Sequence, residues 1–200
     1  MEIHEIYEKN RDMIRSFLEH SKSRDERHLI AELIFCLQTP QSKAQYARET
    51  VKKLESCNKL FGAEEFEIKN SMCGVRFANR KSKYISEAMK KFPEIRKKLS
   101  LDPFELREWL VKTFKGLGMK EASHYLRNIG VFGLAILDVH VQKFMKSHNM
   151  LVGEVGKLTK KQYLENEQNY FELAERLKIK PEELDIVIWL YGNKGGVFYG

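Results

Sequence analysis

The chain has 200 residues, 42% of them hydrophobic and 32% charged. That is enough for one sizeable core or two small lobes, and too apolar for a disordered chain. Its 35 Lys and Arg against 28 Asp and Glu leave a net charge of +7, which suits a polyanionic partner because each phosphate neutralised by a cation releases a counterion, although a merely basic soluble protein would show the same balance. No apolar run nears the roughly 20 residues that span a bilayer, and Cys36, Cys57 and Cys73 are odd in number with no CxxC, which indicates neither a disulfide framework nor a zinc or iron–sulfur site.

The polar, mixed-charge start over residues 1–8 lacks a signal-peptide core, so a cytoplasmic protein is expected. The periodicity is helical almost throughout, and no alternating stretch is long enough for a sheet. A first helix is expected over residues 3–20, with Ile6, Met13, Ile14, Phe17 and Leu18 on its apolar face. A second covers about 24–37 and places Cys36 in the core. It breaks at the turn Gln38-Thr39-Pro40-Gln41-Ser42, from which a third helix reaches about residue 54. Residues 58–72 read as one or two short helices. Residues 74–80 read as a basic turn before a helix over 81–91. Asp102-Pro103 is an N-cap followed by proline at the first helical position, and it opens a helix over 104–113. Residues 148–157 form a glycine-bearing loop. Thr159 opens a helix to about 177, and Pro181 opens the last, over 182–191. The tail is glycine-rich and carries Phe198 and Tyr199. The expected fold class is all-α, with residues 1–200 as one two-lobed unit.

The informative stretch lies between 104 and 147. A helix ends near Thr113, then Lys115-Gly116-Leu117-Gly118-Met119-Lys120 turns into a second helix that stops before Gly130. Helix, GxG turn, helix over about 104–130 is the helix-hairpin-helix pattern. Its glycines permit positive φ and close backbone approach, and the N–H groups of the turn and the following helix start can hold a DNA phosphate. An ordinary αα-turn would read the same way. Lys120 stands in the first turn of the second helix, where the macrodipole disfavours a cation; partial desolvation there would favour a neutral, nucleophilic amine. Four apolar residues, Leu134-Ala135-Ile136-Leu137, then deliver Asp138, a natural N-cap for a helix over 138–147. Asp138 is either that cap alone or a carboxylate that also faces a cleft. His140 is a candidate phosphate donor or a half-exposed surface histidine.

The block from Lys115 to Gly130, followed by Leu134-Ala135-Ile136-Leu137-Asp138-Val139-His140-Val141, resembles the signature of the prokaryotic type-2 8-oxoguanine DNA glycosylase/lyases of the helix-hairpin-helix Gly/Pro-Asp superfamily. Weaker similarity touches residues 33–44, 74–85 and 171–190. The resemblance implies a two-lobed helical DNA glycosylase fold and a repair enzyme that excises 8-oxoguanine from duplex DNA and cleaves the strand. It implies Lys120 as the nucleophile, Asp138 as its electrostatic and acid–base partner, and His140 as a phosphate contact. It also implies that Lys115, Gly116 and Gly118 grip the backbone, with an optional monovalent cation and no other cofactor or metal. The partner would be damaged double-stranded DNA in the nucleoid, met by a monomer.

A flipped base needs a stacking surface, since every base offers a π-face. Trp189, Phe77 and Phe198 are candidates, each with core packing as the plain alternative. Arg76 and Arg80 flank Phe77 and are candidate phosphate contacts. Gln38 and Gln41 are candidates to fill the gap a flipped nucleotide leaves. The family pattern ends in a lysine near the base pocket. This chain ends Phe198-Tyr199-Gly200, and its nearest lysine is Lys194.

Overall fold

The computed structural model describes residues 2–23, 25–193 and 198. Among these, eleven α-helices follow one another with no strand: α1 (Ile3–Ser21), α2 (Glu26–Gln38), α3 (Ala44–Ser56), α4 (Glu65–Ser71), α5 (Ala78–Lys91), α6 (Pro93–Lys98), α7 (Pro103–Thr113), α8 (Met119–Asn128), α9 (Val139–Ser147), α10 (Lys160–Leu177) and α11 (Pro181–Gly192). The helix starts follow local chemistry. Asp25 and Asp102 accept from first-turn N–H groups. Thr159 and Gln162 form a reciprocal capping box, and Pro93, Pro103 and Pro181 occupy the first turns they suit.

Two hydrophobic clusters result. One gathers α2 to α8, with Leu33, Phe35, Ile85, Leu110 and Tyr125 at its centre. The other joins the first and last helices: α11 packs against α1, α9 and α10, in a cluster that includes Ile14, Met145, Tyr170 and Ile186. Helix α11 buries Leu184, Ile186, Val187 and Ile188 in near succession, so it is apolar almost all round and needs neighbours on several sides. Tyr7 in α1 donates to Glu183 of α11 at 2.8 Å.

Three expectations are corrected. Met13 is 41% exposed, because the buried stripe of α1 runs through Ile3, Ile6, Tyr7, Ile14 and Leu18 and leaves Met13 to one side. Helix α5 begins at Ala78, so Arg80 is helical and does not belong to a turn. The short helix α6, opened by Pro93, was not expected.

Candidate active site

Helices α7 and α8 meet at the hairpin 115–118. Gly116 has φ +94°, and a Cβ there would lie 2.7 Å from the Tyr84 ring of α5. Glycine is therefore required both by conformation and by close packing. Gly118 is different: its φ of −86° is ordinary, and it serves as the N-cap of α8 without a side chain to cap it. The first-turn N–H groups of α8 thus lack a side-chain cap, which suits an anion. Lys115 is 73% exposed beside the hairpin, with Glu87 of α5 at 3.9 Å.

Lys120 is the second residue of α8. Its side chain is 25% exposed and its Nζ lies 3.4 Å from Glu121 Oε1. It looks into a cleft of about 840 Å³ that Asp138, His140, Trp189 and Phe198 also line. Sequence spacing explains part of this: Lys120, His124 and Arg127 share one face of α8 at i, i+4 and i+7, and all three line the cleft.

Asp138 caps α9, its Oδ1 accepting from Val141 N–H at 2.8 Å, and it faces the same cleft. The extended segment that delivers it is held from three sides. Glu167 of α10 accepts from Ala135 N–H at 2.9 Å. Tyr163 donates to the Ala135 carbonyl at 2.8 Å. Gln142 donates to the Leu137 carbonyl at 2.6 Å. Glu167 is in turn gripped by Arg107 of α7 through bonds of 2.5 and 2.8 Å, both side chains being fully buried. One ion pair therefore ties the hairpin's first helix to the strap that presents Asp138.

The opposite wall is the turn 38–42. Lys81 of α5 is buried and donates to the carbonyls of Gln38 (2.6 Å) and Pro40 (2.7 Å) and to Ser42 Oγ (2.9 Å). Burial pushes its amine down to about 8, helped by the Arg80 charge nearby. Ser42 also accepts from Arg76 N–H at 3.0 Å, so Lys81 and Ser42 join this turn to the start of α5. Gln41 is exposed on it at φ +55° and lines the cleft. That is a strained conformation for a non-glycine residue.

The other expected residues fall unevenly. Gln38 is buried and donates to the Ile34 carbonyl at 2.9 Å. It belongs to the last turn of α2, and without unwinding that turn it cannot fill a gap in DNA. Phe77 is 46% exposed at φ +60°, the N-cap of α5, between the guanidinium groups of Arg80 (5.0 Å) and Arg76 (5.3 Å). These three form an exposed cationic–aromatic patch outside the residues that line the cleft. Trp189 and Phe198 do line it, with ring centroids 5.7 Å apart. Lys194 lies outside the described residues.

Sequence reasoning missed Lys81, Arg107, Glu167, Arg127 and Asp185. The last two form an ion pair, Nη2 to Oδ2 at 3.2 Å, on the cleft wall between α8 and α11. Asp185 stands four residues before Trp189 and so shares its face of α11, the one signal that could have found it. Among the described residues, no group of three His, Cys, Asp or Glu side chains is placed to hold a metal ion, and no helix is long and apolar enough to cross a membrane.

A lysine at an open helix start, a carboxylate held on a tethered strap and two aromatic rings share one cleft, and comparison with known proteins places the chain in a family. A family model described as 8-oxoguanine DNA glycosylase matches residues 10–179. The 8-oxoguanine DNA glycosylase/AP lyase of Fusobacterium nucleatum is 33% identical over 98% of this chain and 96% of its own. The crystal structure of the 8-oxoguanine DNA glycosylase of Thermotoga maritima superposes with a TM-score of 0.85 at 31% identity, covering 98% of this chain and 95% of that one. The Methanocaldococcus jannaschii 8-oxoguanine glycosylase/lyase, solved with a 15mer DNA containing 8-oxoguanine, gives 0.83 at 27% identity over 98% of both chains.

Proposed function

The chain belongs to the 8-oxoguanine DNA glycosylase family, and from that membership we infer that it excises 8-oxoguanine from duplex DNA and then cleaves the abasic strand. The observation that carries the reading is the convergence of Lys120 and Asp138 on one cleft beside the uncapped start of α8.

The chemistry proceeds in balanced steps. The nucleotide is flipped from the stack into the cleft, at a cost of a few kcal/mol. Lys120 Nζ, as the neutral amine, forms a bond to C1′ while the C1′–N9 bond breaks, and the base leaves with that electron pair and takes up a proton. Opening of the sugar gives an imine between Nζ and C1′. Removal of a C2′ proton expels the 3′ phosphate by β-elimination, which breaks the strand. Asp138 stabilises the positive charge that develops on the sugar and assists the proton movements. Its grip on Val141 N–H fixes one carboxylate oxygen.

The hairpin 115–118 positions a backbone phosphate on N–H groups with Lys115 adding charge, and His140, on the cleft, donates to a phosphate there. The hairpin's only ionisable side chain is a lysine, so a monovalent cation there would be held by the backbone carbonyls of residues 115–118, the hard oxygens it prefers, and would supply positive charge for a phosphate. No step above depends on it. Trp189 and Phe198 stack the base, and Gln41, exposed on the turn 38–42, fills the vacated stack. All these groups come from one chain, which fits a monomer working on the nucleoid.

The test is borohydride trapping on an 8-oxoguanine duplex. The wild-type chain gives a covalent adduct and Lys120→Gln does not, while both bind the DNA. Binding with no adduct from the wild type would reduce the chain to a hairpin-bearing DNA-binding module.

A further inference from the structure

The Arg127–Asp185 pair is built unlike a strut. Arg127 is 4% exposed and Asp185 7%, yet only one bond joins them, Nη2 to Oδ2 at 3.2 Å. Arg127 Nε and Nη1 and Asp185 Oδ1 are buried with no hydrogen-bond partner. Buried polar atoms are nearly always satisfied, and a guanidinium and a carboxylate meant only to hold two helices together would pair bidentately, as Arg107 and Glu167 do. Here two donors and one acceptor are left over, and both residues line the cleft that holds Lys120 and Asp138. Phe17 and Phe198 cover the guanidinium with rings 5.1 and 5.5 Å from its carbon. Trp189, one turn along α11, offers a ligand a face.

The unsatisfied atoms ask for a flat ligand edge that carries an N–H beside a carbonyl. 8-Oxoguanine has one: its N7 bears a hydrogen between the C8 and C6 carbonyls, whereas guanine presents a lone pair at N7. We propose that Arg127 and Asp185 read this edge, Asp185 Oδ1 accepting the N7–H and Arg127 donating to a flanking carbonyl. The discrimination is partly repulsive, because above about pH 6, where Asp185 is ionised, the N7 lone pair of guanine would face a carboxylate oxygen. This inference rests on the base-excision reading and assigns its specificity.

The test measures binding of the full chain to duplexes in which a 2′-fluoroarabino sugar blocks cleavage. With Asp185→Asn, the preference for 8-oxoguanine over guanine falls by about tenfold or more, as expected for one charged hydrogen bond. Cleavage of a preformed abasic site, which has no base to read, changes by less than about threefold, a small fraction of that energy. An unchanged base preference, or a parallel loss of excision and abasic-site cleavage, would overturn the proposal and leave the pair as a strut between helices. The wild-type protein supplies a second arm that does not depend on the variant folding. 8-Methoxyguanine keeps an oxygen on C8 but has a lone pair at N7, and it should bind as guanine does; binding as tight as that of 8-oxoguanine refutes the assignment. Absence of a trappable adduct would count against base excision itself, and the binding preferences would still decide the role of the pair.

Discussion

Replacing Asp138 separates its two roles, because the structure makes the same carboxylate both a helix cap and a wall of the cleft. The cap is one bond, Val141 N–H to Oδ1 at 2.8 Å. Asparagine caps as well as aspartate, so Asp138→Asn should leave the unfolding free energy within about 0.5 kcal/mol of wild type. Asp138→Ala, which removes the cap, should cost about 1 kcal/mol, or roughly 2–4 °C in Tm for a chain of this size. Chemistry should divide differently. Both variants lose the negative charge opposite the developing cation, and single-turnover excision should slow by on the order of 100- to 1000-fold in each. Duplex affinity should barely move. Urea denaturation and single-turnover cleavage of a labelled duplex read the two effects independently. If Asp138→Asn excises within about tenfold of wild type, or if its slowing merely tracks a loss of stability, Asp138 is a cap and the electrostatic role is wrong.

Glu167→Gln should destabilise the protein by about 3–5 kcal/mol, since it leaves the Arg107 charge buried and unpaired, and urea unfolding measures this directly; a loss under 1 kcal/mol would show that the pair does not tie α7 to the strap. Lys81→Met removes the donor that three acceptors of the turn 38–42 share, and should cost about 2–4 kcal/mol by leaving two carbonyls under-satisfied; hydrogen exchange should show the loosening confined to that turn and the start of α5. Asp185 supplies a pH signature. Burial raises its carboxyl from 3.8 to about 6, against the opposing pull of Arg127 and with a further push from Asp138. The folded state therefore holds a proton that the unfolded state has released between pH 4 and 6, and this group's contribution to stability falls as pH rises through that window, by on the order of 2–3 kcal/mol. Asp185→Asn should flatten that limb of the pH–stability curve; an equal slope in both proteins would contradict the burial assigned to the carboxyl.

Much of this fold was legible because helix boundaries are local events. Asp102-Pro103, Thr159 with Gln162, Gly130 and Asp138 each act on atoms within four residues, so their identities announce the helix ends they make. The hairpin and its lysine were legible for the same reason. The supports of the site were not. Arg107 and Glu167 are 60 residues apart in sequence, and in a chain with so many charges either one reads as solvated surface. Lys81 sits in a run of basic residues, and only the fold shows that it points inward beneath the turn 38–42 rather than out with Arg80. Gln38 and Gln41 are alike on paper, yet the first is sealed in the last turn of α2 and the second is lifted to the rim by a left-handed backbone. Phe77 read as a pocket aromatic because any base offers a π-face to stack on. Instead it stands at positive φ at the start of α5, 46% exposed beside Arg76 and Arg80 and away from the cleft.

One amine among several forms the bond to the sugar. Lys81 is the instructive rival: its amine is pushed down to about 8 by burial, yet all three of its hydrogen bonds hold the turn 38–42 and it is not among the residues lining the cleft. Peptide mapping of the borohydride-trapped adduct therefore tests the central claim most directly. The sugar remnant should be found on Lys120 alone, and a remnant on Lys81, on another lysine or on the terminal amine would contradict it.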